Sequence, residues 1–194
     1  MHGLPLVAIK MKTIPKHNIS IERATDLLTE GQPLSDAYVG GELKIETSEN
    51  WDKEVVIENC VIEYFSGSAT QFEKPVRLIN CQFKKCQFVF TYFLGGLTIE
   101  NCTFDTYLDF QAGGHNKLGC QVKITNNDFK DFVNFFDCCY ENEVTICNNR
   151  FDKGTNLFGK PNNIPVTFDV EPTIKDNAGR LDFDNEGERN ENEK

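Results

Sequence analysis

A chain of 194 residues with a formal net charge of −10 and a pI near 4.8 has no basic stripe with which to neutralise phosphates, which excludes generic binding to nucleic acid. No stretch of 18 apolar residues is present to cross a membrane, and the eight cysteines include no Cys-x-x-Cys pair, which argues against a zinc ribbon and fits a reducing cytoplasm. Sixteen Phe against one Trp and two Met point to a core built from one repeated aromatic position.

Residues 1–19 read as an N-terminal extension. Its apolar run, Leu4 to Ile9, is too short for the hydrophobic region of a signal peptide and is soon followed by charges. Ser20 to Gly31 reads as a short helix, with Ser20 capping its start and Gly31 stopping it. That helix is expected to cover the open end of the structure that follows. Val39-Gly-Gly-Glu-Leu43-Lys-Ile45 then reads as an entry strand.

Five segments follow with one pattern, apolar-x-apolar-x-Asn-Cys/Asn-x-Phe/Ile. They are Val55 to Ile62, Val76 to Phe83, Leu97 to Phe104, Val122 to Phe129 and Val144 to Phe151, with starts separated by 21, 21, 25 and 22 residues. Alternation at period two sends every second side chain inward, as in a half-buried strand. Asn59, Asn80, Asn101, Asn126 and Asn148 close each strand, because Asn tolerates left-handed backbone and bonds neighbouring backbone in turns. In stacked coils these Asn side chains can also form a ladder. Phe83, Phe104, Phe129 and Phe151 are expected to stack as an inward column, with Val89, Phe110, Phe135 and Leu157 as a further apolar column. Cys60, Cys81 and Cys102, each after an Asn, occupy one repeated structural slot. Outward, Glu63, Lys84, Asp105, Lys130 and Asp152 alternate in sign and are expected to pair between coils.

Asn-Cys and Asn-Asn pairs, β-branched residues and frequent Gly oppose an α-helical repeat, and propeller blades need about 40 residues. The fold expected is therefore all-β, a right-handed parallel β-helix of about six to seven coils with a short N-terminal capping helix. The helical domain is expected over residues 20–183. Val166-Thr-Phe168-Asp-Val170 is taken as a sixth start, without the Asn, opening a terminal coil over 166–183. Residues 184–194 are polar and acidic and read as a disordered tail. The long repeat carries the one clear insertion, Gln111-Ala-Gly-Gly-His-Asn-Lys-Leu-Gly119. Within it Gly113, Gly114, His115, Asn116 and Lys117 are the candidate binding loop.

The strings Ile79-Asn-Cys-Gln-Phe83-Lys-Lys-Cys-Gln-Phe88 and Ile99-Glu-Asn-Cys-Thr-Phe104 resemble bacterial pentapeptide-repeat and related right-handed β-helix proteins. The segment from Asp26 to Ile45 is similar to the way such chains begin, and the resemblance covers about residues 20 to 175. It implies a non-catalytic binding protein; some acidic members resemble duplex DNA and bind type II topoisomerases. Coils of varying length depart from strict pentapeptides.

Catalytic constellations are sparse. Glycan cleavage needs paired carboxylates across a groove, and the candidates are Asp105, Asp109, Asp128, Asp131 and Asp137. His115 with Cys120 could form a nucleophilic dyad, but no orienting group can be named. Cys138-Cys139 has no metal spacing, and no cofactor is implied. The function expected is a cytoplasmic, non-enzymatic scaffold that binds another protein, as an inhibitor or regulator, with homodimerisation through one end of the rod also open. The alternatives are a carbohydrate-binding or polysaccharide-cleaving β-helix and, less favoured, a DNA mimic.

Overall fold

The computed structural model describes residues 15–46 and 50–184, so most of the expected extension (1–19) and nearly all of the expected tail (184–194) lie outside the described residues. It is a right-handed parallel β-solenoid of about six turns with one α-helix. Ser20 accepts a hydrogen bond from the Arg23 N–H (3.2 Å) and starts the helix Ile21–Thr29, whose Ala24 and Leu28 are buried in the core. Just before it, His17–Ile19 pairs with Ala37–Val39, so the last residues of the expected extension belong to the solenoid.

The first sheet has seven parallel strands. It runs from Leu34–Ser35 through Val55–Glu58, Val76–Ile79, Leu97–Glu100, Val122–Thr125 and Val144–Cys147 to Thr173–Lys175. A second, nine-stranded sheet continues through Ala37–Lys44, Val61–Ser66 and Gln82–Gln87. There Phe83 pairs with Phe104 but Cys86 with Leu108, so one residue is inserted. The sheet divides at that point into Thr103–Phe104 and Leu108–Asp109. A third, narrow face is made of single bridges, Gln71 to Tyr92, Tyr92 to Gly114 and Gly114 to Cys139, and the pair Cys139–Tyr140 with Thr167–Phe168.

Each corner between the first two sheets is a left-handed residue. Asn59, Asn80, Asn101, Asn126 and Asn148 hold φ between 55° and 59°, and Asp36 and Asp176 extend the column by one rung at each end. Asp shares with Asn the short polar side chain that makes this conformation accessible. Asn80 Nδ2 donates to Asn59 Oδ1 (3.2 Å), but the continuous ladder lies one residue later, in the buried slot. The N–H groups of Cys60 and Cys81 each donate to the next rung's Sγ (3.4 Å in both cases). Those of Cys102, Asn127 and Asn149 donate to Oδ1 of Asn127, Asn149 and Asn177 (2.8, 3.0 and 2.9 Å). In return Asn127, Asn149 and Asn177 donate to the carbonyls of Ile99, Ile124 and Ile146 (2.9, 2.9 and 2.8 Å).

Inside, Phe83, Phe104, Phe129 and Phe151 stack with ring centroids 4.9–5.1 Å apart. A second stack runs Phe88, Phe110, Phe135 (5.4 and 5.1 Å). Phe88 is its first member, not Val89. The residue inserted after Phe104 lengthens the later rungs by one, so a spacing of six taken from them overshoots in this rung. The sixth repeat is also displaced from its expected place. Thr167–Phe168 pairs with Cys139–Tyr140 on the third face, and the sixth strand of the repeat is Thr173–Lys175, followed by Asp176-Asn177 in the corner and slot. The 3₁₀ turn Pro161–Asn163 lies in the lengthened segment that delays it. Phe183, edge-on to Phe132, packs over this end of the core.

The outward column pairs between rungs: Lys84 with Asp105 (2.8 Å) and Lys130 with Asp152 (3.5 Å). Glu63 accepts from the Tyr38 hydroxyl (2.9 Å). Asp128 accepts from Lys130 (2.7 Å) and Arg150 (3.0 Å). Partial burial pushes the Asp128 carboxyl up, but its bonds to Lys130 and Arg150 and their charges outweigh that and hold it below its ordinary 3.8.

Two outcomes are expected. Asn149→Ala leaves the Asn127 N–H without its acceptor in the core and costs about 2 kcal/mol, whereas Asn148→Gly, at the exposed corner beside it, costs less than about 1 kcal/mol; urea denaturation of both variants checks the contrast. Because the folded value of Asp128 lies below its unfolded one, its contribution is present above the ordinary carboxylate value and is lost as pH falls through the folded value. The stability gap between the wild type and Asp128→Asn should therefore narrow as melts are taken from pH 7 down to pH about 2.

Candidate functional site

The register locates the insertion more narrowly than the sequence does. Tyr92 pairs with Gly114 and Leu97 with Val122, so the extra residues fall between Gly114 and Val122. Residues 111–114 belong to the rung itself. A Cβ on Gly113 would lie 2.6 Å from the Thr91 carbonyl oxygen and one on Gly114 2.3 Å from that of Cys139, so these two glycines allow adjacent rungs to close.

What projects is a tight turn, in which the Cys120 N–H donates to the Lys117 carbonyl (2.9 Å), Gly119 takes φ 76° and Leu118 stands 90% exposed. Asn116 is buried beneath it and donates to the carbonyls of Cys120 (2.9 Å) and Glu143 (3.3 Å). The Asn142 amide donates in turn to the Asn116 carbonyl (2.9 Å). On the other side the Lys117 N–H donates to the Leu94 carbonyl (3.2 Å), and its ammonium pairs with Glu73 at 2.5 Å. The turn is thereby fixed to both neighbouring rungs.

His115 is the unusual member. By register it follows Phe72 and Phe93 and precedes Tyr140 and Phe168, a column whose other members pack into or against the core. Its φ of 55° turns the chain left-handed there. The side chain emerges instead, 31% exposed, with Nδ1 2.6 Å from Glu141 Oε1 and its ring 4.3 Å from that of Tyr92. Tyr92, Leu94, His115, Asn116, Lys117, Glu141 and Asn142 line a shallow cleft of about 320 Å³.

Of the candidate loop, His115, Asn116 and Lys117 thus meet in one cleft, with Gly113 and Gly114 forming the rung beside it. The structural columns Asn59 to Asn148 and Phe83 to Phe151 lie elsewhere, at the first corner and in the core. Tyr92, Leu94, Glu141 and Asn142 were not singled out from the sequence. They lie on neighbouring rungs at the offsets that carry Tyr92 onto Gly114 and Gly114 onto Cys139, so a strand-level alignment of the repeats would have found them.

Three of the five carboxylates considered for glycan chemistry, Asp105, Asp128 and Asp109, are engaged in other contacts. Asp105 pairs with Lys84 and Asp128 with Lys130 and Arg150. Asp109, which aligns with Gln87, accepts from Asn134 and from the Gln111 N–H (2.9 Å each). Burial pushes the Cys138 thiol up to about 12, which keeps it protonated at neutral pH. All eight cysteines are free thiols, and among the described residues no group of three or more His, Cys, Asp or Glu is placed to hold a metal ion. No helix among them is long and apolar enough to cross a membrane.

Comparison of the chain with models of protein families, with curated proteins and with solved structures gave no match in any of the three.

Gly114→Ala should prevent closure of the rung and cost about 3 kcal/mol or more through backbone shift and strain. Gly119→Ala, with no atom within 4 Å of the added Cβ, should cost only about 1 kcal/mol, from its positive φ. Thermal melts of the two variants, followed by circular dichroism, would separate a rung glycine from a turn glycine.

Proposed function

We propose that the chain is a non-enzymatic β-helix scaffold of a reducing compartment, an irregular relative of the pentapeptide-repeat proteins, that regulates another protein by binding it at the edge formed by the insertion. The observation that carries this reading is the held turn: buried Asn116 fixes a backbone from which Leu118 projects almost wholly into solvent, beside a shallow cleft. A single apolar residue on the surface is ordinary. One presented on a turn clamped to two rungs is pre-organised, so docking would immobilise little chain. The cleft's shallowness and its mixture of aromatic, imidazole, carboxylate and amide groups suit a protein surface.

A glycan is the second reading, favoured by the Tyr92 ring lying beside Glu141 and Asn142. Leu118 offers a sugar nothing, so the two readings separate by mutation.

His115→Asn keeps a residue suited to φ 55° while removing the imidazole, and Leu118→Asp alters only an exposed side chain. Each should leave the melting temperature within about 2 °C of wild type. Each should weaken a protein partner, identified by affinity capture, by about tenfold or more in titration calorimetry, as loss of a docking contact does. Unchanged affinity in both variants would overturn the proposed site. Glycan-array binding sensitive to His115→Asn but not to Leu118→Asp would replace the protein reading with the second.

A further inference from the structure

Among the described residues, fourteen other than glycine have positive φ, and ten of these are Asn or Asp. The four exceptions, Ala69, Phe90, Ala112 and His115, all lie on the third face or at its borders. Ala69, Phe90, Ala112 and Asp137 form the column where the second sheet turns into the third face: the N–H groups of Ala69, Phe90 and Ala112 donate to the carbonyls of Val89, Gln111 and Phe136 on the next rung (2.8, 2.8 and 2.9 Å). The opposite corner, at the end of the first sheet, meets the same geometric demand with Asn or Asp in every rung.

Phe90 stands out in this set. A bulky residue at φ 55° is disfavoured relative to Asn or Gly, because its Cβ crowds the backbone there. Phe90 is 57% exposed, so core burial does not compensate for it. Along the same rung, Thr91 and Phe93 point inward and are fully buried, which leaves Phe90, Tyr92 and Leu94 side by side on the outside. Leu118 projects at one border of this strip. Val89, half-buried, precedes Phe90 at the other, with half-buried Phe136 two rungs further on in the column of Val89.

We propose that the third face as a whole is a docking surface. Phe90, Tyr92, Leu94 and Leu118 receive an apolar segment of a different protein whose flanks carry Lys or Arg. This deepens the scaffold reading and rests on it. Charge decides the occupant. Over 67–75, 88–96, 110–121 and 135–143 there are four carboxylates, Glu73, Asp137, Glu141 and Glu143, against two lysines, Lys74 and Lys117. Lys117 already pairs with Glu73. A second copy would bring the same acidic border and a net charge of −10, so basic flanks on a different chain complement this face better.

Two measurements test it on the full chain. The first is the melting temperature of Phe90→Asn and Phe90→Gly, expected to rise by about 2–4 °C as strain is relieved. A fall in both would make Phe90 a structural residue and overturn the proposal. The second places the photo-crosslinker p-benzoylphenylalanine at position 90, at 118 and, as a control on the first sheet, at 123, in cells that make the protein. Support is an adduct with one protein from positions 90 and 118 but not 123, with the crosslinked peptide apolar and flanked by Lys or Arg. An adduct with a second copy, or with an acidic peptide, overturns it. An adduct from 118 alone overturns the extended face while leaving the scaffold reading in place, and adducts from neither position remove both.

Discussion

Everything in this molecule depends on how one rung fixes the register of the next. In the buried slot after each corner, a Cys or Asn side chain accepts the N–H of the preceding rung's slot residue and donates to a carbonyl of that rung. A slip by one residue would leave these groups unpaired in the core at about 1–3 kcal/mol each and would turn every inward side chain outward. The left-handed corner residue before the slot brings the chain round at the same point in each turn, and the Phe stacks then follow, because residues of one kind are held one rung apart.

The slot changes chemistry along the rod. It holds thiols in the N-terminal half and amides in the C-terminal half, with the change between Cys102 and Asn127. Oxygen acceptors lie 2.8–3.0 Å from the N–H groups they receive, sulfur acceptors 3.4 Å away. Amides also bond to one another along the column, as Asn127 does to Asn149 and Asn149 to Asn177 (3.0 Å each). The amide half therefore gains directional bonds where the strands of the second sheet are shorter and the rungs less regular, while the thiol half relies more on packing among Phe and aliphatic residues.

The repeat makes the solenoid, the corner Asn column and the main Phe stack legible in sequence, since each depends on a residue type recurring at a fixed place, and the helix is legible from Ser20 at its start. What was misplaced depends on counting through irregularities. Counting six residues on from Phe83 lands on Val89 instead of Phe88, because one residue inserted after Phe104 changes the spacing of later rungs. The Val166-Thr-Phe alternation resembles the earlier starts, but the sixth strand is Thr173–Lys175, which lies past a lengthened turn and is followed by Asp176 in the corner place. Within the candidate loop, His115, Asn116 and Lys117 were legible as an interruption. The residues that complete the cleft were not, because Tyr92 and Glu141 meet His115 only across rungs.

The proposed binding surfaces lie where the rule of the fold is broken. A solenoid corner asks for a residue that accepts positive φ, and this chain supplies Asn or Asp at every such position in the column between the first two sheets. Along the third face it supplies Ala, Phe, Ala and His instead, and two of these, Phe90 and His115, put a ring at the surface. Strain that a cheaper residue would relieve persists when the side chain has a use elsewhere. At His115 it turns a position in line with core aromatics outward to meet Glu141 and Tyr92. At Phe90 it sets an aromatic side chain on an edge where, among the described residues, it stays 57% exposed. All four exceptions gather on one face of a rod whose other corners conform, and that is the face proposed for contact.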